Sequence, residues 1–344
     1  MKVILRNRFF DAFTIFLCSM IFSCASTAQR TSAIPDWISY ETINQEFPEK
    51  DFIARIGSGE NPNLAQLKAD AELSSYFNQN IKSITQAQEK YLNENNSTTS
   101  QKALNRTITI TTNSELIGLK HTDCFFNKKE SLYYTCYYLN RNEAWFLIEP
   151  KLKSYSTNFE NSIQGVDNES EIFNKIILQN KALQESEDFY DLYYLAYCIT
   201  PEKAKKYSHY TTEIQKLSYE NFELKRKIKI YTISNGDSSN RIKIKTEELL
   251  SNEGFIISQS KASYIATINL NTEVGKSKDI YLAYPQIKIS IEKSDGTALA
   301  TYSKQLGKIS AYTKETTERL ALNKLETELE NNLINNLLYK KRSE

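Results

Sequence analysis

A short apolar run near the start of the chain limits the classes of fold that the rest of the chain can adopt. The run extends from Ala12 to Phe22 and follows the basic residues Lys2, Arg6 and Arg8. Spanning a bilayer takes roughly 20 apolar residues, so this run is too short for a transmembrane helix. A basic start before a short apolar run is typical of a secretory signal peptide. No later stretch is long and apolar enough to span a membrane, so we expect the remaining chain to fold in water around its own cores.

A cysteine lies directly after this apolar run. Ile21 stands three positions before Cys24 and the small residue Ser23 stands just before it, an order that resembles a bacterial lipobox. In proteins with that motif the cysteine thiol is acylated, the preceding peptide is removed, and the new amino terminus is usually acylated as well. Several acyl chains matter because a single chain gives only marginal membrane binding.

Ordinary secretion is the alternative interpretation of the same region. The segment Ser26-Thr27-Ala28 offers the small-x-small pattern of a secretory cleavage site. We favour the lipoprotein because Cys24 lies right at the end of the apolar run. The prediction is therefore a lipoprotein signal peptide over residues 1–23, lipidation of Cys24 with a fatty acid such as palmitate, and a short tether over residues 24–34.

Composition excludes two broad classes of protein. Lys and Arg number 43 against 42 Asp and Glu, and no strongly basic stripe stands out, so nucleic acid is not expected as a partner. Hydrophobic residues make up 40% of the chain and aromatic residues 12%, which suffices to bury real cores and excludes a disordered chain. At ~100–200 residues per domain, the length allows two or three domains.

Residues 35–165, which we call the N-terminal module, begin with a strand followed by a helix. Phe52 to Ile56 predicts the strand, Gly57-Ser58-Gly59 breaks it, and Asn61-Pro62 predicts a helix start. Apolar residues then recur at helical spacing, at Ala65, Ala69, Leu73, Phe77, Ile81 and Ile84. The small residues come first, so we expect the start of this helix to lie close to a sheet.

Two further strands and a second helix complete this module. Strands are predicted over residues 106–119 and 131–141 because both segments are rich in β-branched or aromatic residues. A helical pattern follows from Trp145, and Pro150 is expected to kink or restart that helix. The order strand, helix, strand, strand, helix predicts a small two-layer α/β unit.

Several segments of this module together resemble one known family. They are the opening Pro35-Asp36-Trp37-Ile38, the strand that ends Ile56-Gly57-Ser58-Gly59, the alanine-spaced helix and the segment from Tyr137 to Ala144. In this order they resemble the Lpp-twenty family of bacterial outer-membrane lipoproteins. A Y-x-L-x-R-x-x-A-like signature closes the sheet in that family, and its positions here are Tyr137, Leu139, Arg141 and Ala144. The resemblance implies an envelope location and, in several relatives, a part in flagellar basal-body structures. It implies no catalytic residues.

Residues 166–225, the helical segment, predict a helical hairpin that links two modules. Phe189, Tyr193 and Ala196 share one apolar stripe, and Thr200-Pro201-Glu202 predicts the start of a further helix. Three other tyrosines of this segment have two interpretations, as core residues or as a partner surface, and core packing is the favoured one. They are Tyr190, Tyr194 and Tyr197.

Residues 226–344, the C-terminal module, predict the order β-α-β-β-β-β-α. The strands alternate apolar and polar residues, as at Ile287, Ile289 and Ile291, and leucines at helical spacing predict a long final helix. The module loosely resembles small periplasmic modules of outer-membrane assembly lipoproteins. The overall prediction is an α+β protein of two small α/β two-layer sandwich modules joined by a helical hairpin.

Three cysteines remain once Cys18 of the signal peptide and Cys24 are set aside. They are Cys124, Cys136 and Cys198. Cys124 and Cys136 flank a predicted hairpin turn over residues 127–130, so the two thiols have one interpretation as a disulfide across two strands. The other interpretation is that they are buried free thiols.

No residue pattern predicts an enzyme. The chain has only two histidines, His121 and His209, and the segment from His121 to Cys124 with Cys136 lacks the second ligand pair of a zinc site. Gly57 to Asn61 lacks the lysine and the glycine spacing of a phosphate-binding loop, so a strand-to-helix turn is expected there. We predict no catalytic residues, no metal and no cofactor.

The predicted function is therefore one of location and binding. We expect a protein of the bacterial outer membrane that is anchored by its N-terminal lipid, faces the periplasm and acts as a scaffold or docking module for another envelope protein. A flagellar assembly is one example of such a setting. The alternative is a lipoprotein that regulates a cell-wall or secretion enzyme.

Overall fold

The structure, a computed structural model, describes residues 34–94 and 117–339. Their helices and strands form three sheets with packed helices, which confirms the predicted α+β class. The predicted signal peptide, the tether up to residue 33, Cys24 and most of the strand predicted over residues 106–119 lie outside these ranges. Within the described ranges, no helix combines the length and the apolar character that crossing a bilayer requires.

Strand β4 lies at the centre of the N-terminal sheet. Strands β1, β2 and β3 all pair with it in antiparallel fashion. The elements of this module are β1 (Phe52–Gly59), α1 (Pro62–Glu94), β2 (Leu119–His121), β3 (Phe125–Asn127), β4 (Leu132–Asn140) and α2 (Arg141–Asp167). The predicted hairpin is confirmed because Asn127 pairs with Leu132 across its turn.

Helix α1 covers one face of this sheet at close range. A Cβ atom on Gly57 would lie 2.1 Å from the carbonyl oxygen of Ala65, so only glycine allows this approach. Ala65 and Ala69 are fully buried at the contact, as their small size predicted. Strand β1 continues to Gly59, because Gly57, Ser58 and Gly59 all pair with β4, so the predicted break of the strand at these residues is wrong. The turn into α1 is confined to Glu60 and Asn61, where the Asn61 Oδ1 accepts a hydrogen bond from the Leu64 amide at 2.9 Å.

The opposite face of the sheet is covered by the segment that precedes β1. Two short 3₁₀ turns, Asp36–Ile38 and Ile43–Gln45, place Trp37 and Ile43 against the sheet. Phe47 joins them, and its ring lies 4.5 Å from that of Tyr138 on β4. The N-terminal sheet is therefore buried on both faces.

Helix α2 continues through Pro150 without interruption, so the predicted restart at that residue is wrong. Proline removes one helical hydrogen bond, but Pro150 itself is exposed, and the neighbouring turns bury Ile148 and Leu152 completely. Packing of that apolar face stabilises the helix across the missing bond.

Four more helices follow in the helical segment. They are α3 (Ile172–Glu185), α4 (Glu187–Ile199), the short α5 (Pro201–Ala204) and α6 (Ser208–Lys225). Helix α5 begins at Pro201 as predicted, and α4 packs against α2 and α1, whereas α6 packs against α3. Helix α3 contributes to two cores, with Ala182 in that of the N-terminal module and Phe173 in that of the C-terminal module.

The main sheet of the C-terminal module has the strand order β11-β10-β7-β5-β6. Its elements are β5 (Lys229–Asn235), α7 (Arg241–Asn252), β6 (Ile256–Ser258), β7 (Tyr264–Asn271), β10 (Gln286–Lys293), β11 (Ala298–Gln305) and α8 (Lys314–Leu338). Strand β5 is parallel to β6 and β7, while β10 is antiparallel to β7 and β11. The predicted inward residues, such as Ile287 and Ile289, are fully buried under α7 and α8.

A second, smaller sheet in this module was not predicted. It has the order β12-β9-β8 and consists of β8 (Val274–Ser277), β9 (Ile280–Ala283) and β12 (Ile309–Ala311). These strands are too short for a clear alternation of apolar and polar residues. The sheet lies against the start of α8, where the Thr317 hydroxyl donates to the Tyr281 carbonyl at 3.4 Å.

Candidate functional site

A cleft of about 670 Å³ lies where the helical segment meets the C-terminal module. Its walls come from α1, α3, α4, α6 and the end of α8, with Glu253 and Tyr339 at the C-terminal side. This volume falls within the range of about 300–1,000 Å³ that is typical of ligand sites, which often form between structural units. The cleft is therefore the candidate functional site.

One wall of the cleft is aromatic. Tyr190 and Tyr194 lie one turn apart on α4, and their rings stack with centroids 5.9 Å apart. The Tyr190 hydroxyl donates to the carbonyl oxygen of Thr211 at 3.0 Å, and burial raises the pKa of Tyr190 well above its usual value. Tyr194 is only 2% exposed, and Tyr190 is partly buried against the same core, so both tyrosines pack in the core with an edge on the cleft. Core packing, the favoured interpretation of these two tyrosines, thus holds, and the partner surface stays a prediction.

A partly buried ion pair lies at the C-terminal side of the cleft. The Lys225 ammonium is 3.0 Å from the Glu253 carboxylate, and their side chains are 7% and 25% exposed. The Tyr339 hydroxyl donates to the same carboxylate over 3.5 Å, and the ammonium lies 6.0 Å from the centre of the Tyr339 ring. Burial, then the negative charge of Glu253, raises the pKa of Tyr339. This ion pair joins α6 to the C-terminal module.

Buried amides connect the helices behind the cleft. The Asn221 side chain donates to Gln179 Oε1 at 3.2 Å and to the Ile176 carbonyl at 3.3 Å, which ties α6 to α3. Asn180 donates to the Leu338 carbonyl at 3.3 Å, which ties α3 to the end of α8. The Gln179 Nε2 has no hydrogen-bond partner among the described residues. Such a network fixes the position of the helices relative to one another.

Acidic side chains outnumber basic ones around the cleft. The lining includes the carboxylates of Glu187, Asp191 and Glu253 and the ammonium of Lys225. The described lining contains neither histidine nor cysteine, which are the usual nucleophiles and bases. Its chemistry of carboxylates, tyrosines and amides is suited to binding a cationic or hydrogen-bonding ligand.

The two histidines lie outside this cleft. His121 stacks on Tyr137 with centroids 5.4 Å apart, and its Nδ1 lies 3.0 Å from the Thr122 carbonyl oxygen. His209 lies against Tyr210, with its Nδ1 3.1 Å from the Lys206 carbonyl oxygen. Across residues 34–94 and 117–339, no three potential metal ligands come together.

All three cysteines in the described ranges are free thiols, namely Cys124, Cys136 and Cys198. Cys124 and Cys136 therefore do not form the disulfide that was one of the two predicted alternatives. Cys124 lies just before β3, whose pairing with β4 begins at Phe125 and Tyr134, whereas Cys136 lies within β4 and pairs with Ile56 of β1. Burial raises the pKa of Cys136 and of Cys198 to about 12.

The signature segment of the N-terminal module has a structural role. Arg141 Nη1 donates to the Cys198 carbonyl at 3.3 Å and also to the Ile199 carbonyl, and its Nε donates to the Glu49 carbonyl at 2.9 Å. The arginine thus ties the last turn of α4 to the segment before β1. Leu139 and Ala144 are fully buried beside it.

Sequence patterns did not reveal the cleft, although one signal was present. Asn221 and Lys225 continue, at helical spacing, the stripe that Ile214 and Leu217 begin on α6. Polar residues in an apolar stripe indicate a buried polar contact. That stripe does not indicate which residues lie opposite Asn221 and Lys225 across the cleft.

No protein-family model matches this chain, and no curated protein sequence matches it either. Solved structures show partial likeness. The secreted protein HP1454 of Helicobacter pylori is 18% identical over 85% of this chain and 100% of its own, with a TM-score of 0.36. A minor lipoprotein of Acinetobacter baumannii is 12% identical over 33% of this chain and 96% of its own, with a TM-score of 0.25.

Lipoprotein GNA1162 of Neisseria meningitidis is a third such structure. It is 10% identical over 30% of this chain and 99% of its own, with a TM-score of 0.21. These identities and TM-scores are too low to support a shared family or role.

Proposed function

We propose that this chain is a lipid-anchored protein of the bacterial cell envelope, which serves as a scaffold or docking module and not as an enzyme. The observation that carries the proposal is the lipobox-like order of Ile21, Ser23 and Cys24 directly after a short apolar run. The outer membrane, a periplasm-facing orientation and a flagellar or related assembly are the finer parts of the proposal. They rest on the Lpp-twenty resemblance of the N-terminal module.

The contacts of the helical segment support a scaffold. Glu171, just before α3, accepts a hydrogen bond from the Tyr264 hydroxyl at 2.8 Å and lies 3.9 Å from the Lys293 ammonium. On the other side, the Lys203 ammonium donates to the side chain of Asn142 at 2.8 Å. The helical segment therefore contacts both modules through polar side-chain contacts as well as through their hydrophobic cores. A body held in this way can present the cleft and its outer surfaces to a partner in a fixed arrangement.

Metabolic labelling with a palmitate analogue tests the anchor. The full chain should take up the label and fractionate with membranes. Cys24→Ala should lose both the label and membrane retention, because its thiol is the proposed acylation site. Cys18→Ala is the matched control, since Leu17 before it is too large for a lipobox, and this variant should keep the label. An unlabelled chain whose mature form begins at Gln29 would overturn the anchor and support ordinary secretion.

A further inference from the structure

Strand β11 is the longer edge strand of the main C-terminal sheet. Its inner side pairs with β10, and among residues 34–94 and 117–339 no strand pairs with its outer side. The edge strand at the other end of this sheet, β6, has only three residues, whereas β11 has eight. An unpaired edge offers a row of backbone N–H and C=O groups to a further strand.

Alternate residues of β11 direct their backbone groups to this open edge. The Leu306 amide donates to the carbonyl of Pro285, just before β10, at 2.8 Å. Bonded and non-bonded residue pairs alternate along an antiparallel ladder. Counting back from Leu306, the N–H and C=O groups of Thr301, Ser303 and Gln305 therefore point away from β10. All three residues are exposed.

The edge lacks most of the features that prevent strands from pairing edge to edge, which include proline, bulges and unpaired charges. Strand β11 (Ala298–Gln305) contains no proline, and its one bulge lies at its start, opposite Ile291 and Glu292. Its only charged side chain, Lys304, lies 3.5 Å from the Glu328 carboxylate of α8. The outer side of β11 can therefore accept another strand.

A second copy of β11 fits this edge. An antiparallel pairing centred on Ser303 places this residue opposite Ser303 of the second copy, and Thr301 opposite Gln305. Each of these pairs then exchanges two backbone hydrogen bonds, so every outward group has a partner. In the same register Lys304 lies opposite Tyr302 of the second copy, whose hydroxyl donates to Glu328 at 2.9 Å. Positive charge thus approaches a carboxylate, and no two like charges lie directly opposite each other.

We propose that two copies of this chain associate edge to edge through β11, antiparallel and with Ser303 on the two-fold axis. The main C-terminal sheets then form one continuous sheet, to which each copy contributes five strands. An interface of this kind is isologous, so the assembly closes at two copies. The inference concerns the folded body alone and depends neither on the proposed anchor nor on the proposed docking role.

Sedimentation velocity of the purified full chain, in detergent matched to the density of the solvent, tests this association. The unmodified chain should change from monomer to dimer as its concentration rises. Ser303→Lys and Ser303→Glu should each raise the dissociation constant several-fold, because like charges then lie directly opposite. An equimolar mixture of these two variants should recover the dimer, because opposite charges now meet. Ser83→Lys, at an exposed serine of α1, is the matched control and should not change the transition.

Removal of one backbone donor separates strand pairing from contacts between side chains. Ser303→Pro lacks the outward N–H, and proline is accepted at such edge positions, so this variant should fold and stay monomeric. Ser303→Ala keeps the N–H and should dimerise as the unmodified chain does. Hydrogen exchange should show that the amides of Thr301 and Gln305 are protected in the dimer and lose this protection on dilution.

Four outcomes would overturn the proposal. The first is an unmodified chain that stays monomeric up to its solubility limit, and the second is a dimer that Ser303→Glu and Ser303→Pro leave intact. The third is an equimolar mixture of Ser303→Lys and Ser303→Glu that stays monomeric. The fourth is protection of the Thr301 and Gln305 amides that does not depend on concentration, because a segment of the same chain would then pair with β11.

Discussion

Arg141 donates a hydrogen bond to the carbonyl oxygen of Cys198, 57 residues further along the chain, at 3.3 Å. Helix α4 ends at Ile199, so the guanidinium lies at a helix C-terminus, where the last carbonyls lack helical partners and positive charge is stabilising. The arginine of the signature segment is thus explained by a contact between the N-terminal module and the helical segment.

Replacing Arg141 by methionine should lower the free energy of unfolding by about 2 kcal/mol, since hydrogen bonds to charged groups contribute ~1.5–3 kcal/mol. Urea denaturation of the purified chain measures the change. Arg226→Met is the matched control, because Arg226 is 61% exposed and 3.5 Å from Glu223, and it should change stability by less than about 0.5 kcal/mol. Equal effects of the two substitutions would show that the carbonyl contacts of Arg141 contribute nothing.

Replacing Lys225 by methionine should leave the Glu253 carboxylate without its ammonium partner. Breaking a fully buried pair costs ~3–5 kcal/mol, and we expect about 2 kcal/mol here because Glu253 is 25% exposed. The double variant Lys225→Met with Glu253→Gln should recover most of that loss, as a denaturation series on both variants would show. Lys216→Met is the control, since its ion pair with Glu220 is 3.8 Å long and exposed. Additive losses in the double variant would contradict this account.

Trp37 should contribute strongly to the stability of the N-terminal module. It is 5% exposed against the sheet, and truncation of a buried tryptophan costs ~3–5 kcal/mol. Trp37→Ala should therefore lower the midpoint of thermal unfolding clearly, whereas Phe146→Ala, at a side chain that is 77% exposed, should leave it nearly unchanged. An unaltered melting curve for Trp37→Ala would mean that the segment before β1 does not cover the sheet in solution.

Loss of both histidines should leave the biological role intact if the protein is a scaffold. Each imidazole contacts a backbone carbonyl oxygen and a tyrosine ring, and neither lines the cleft. His121→Ala combined with His209→Ala should complement a deletion strain as well as the unmodified chain does, with protein levels checked in both strains. A double variant that is stable and correctly anchored yet functionally dead would make a catalytic or metal site at one of these histidines the leading hypothesis.

Local patterns in the sequence determined the elements and many of their ends. The alternation of Ile287, Ile289 and Ile291 predicted a strand with one buried face, and Pro201 predicted a helix start, because both signals act within a few residues of the backbone. The same holds for the small residues Ala65 and Ala69, whose size alone indicated a close approach to a sheet.

The tertiary structure decided what depends on distant residues. Arg141 has no local feature that names the carbonyl oxygens at the end of α4, and the cleft exists only where five helices and Tyr339 converge. Pro150 stays inside a helix because packing of the neighbouring turns outweighs one lost hydrogen bond. Strands β8, β9 and β12 form because they pair with one another against α8. Contacts of this kind join residues without a fixed spacing along the chain, so no period in the sequence records them.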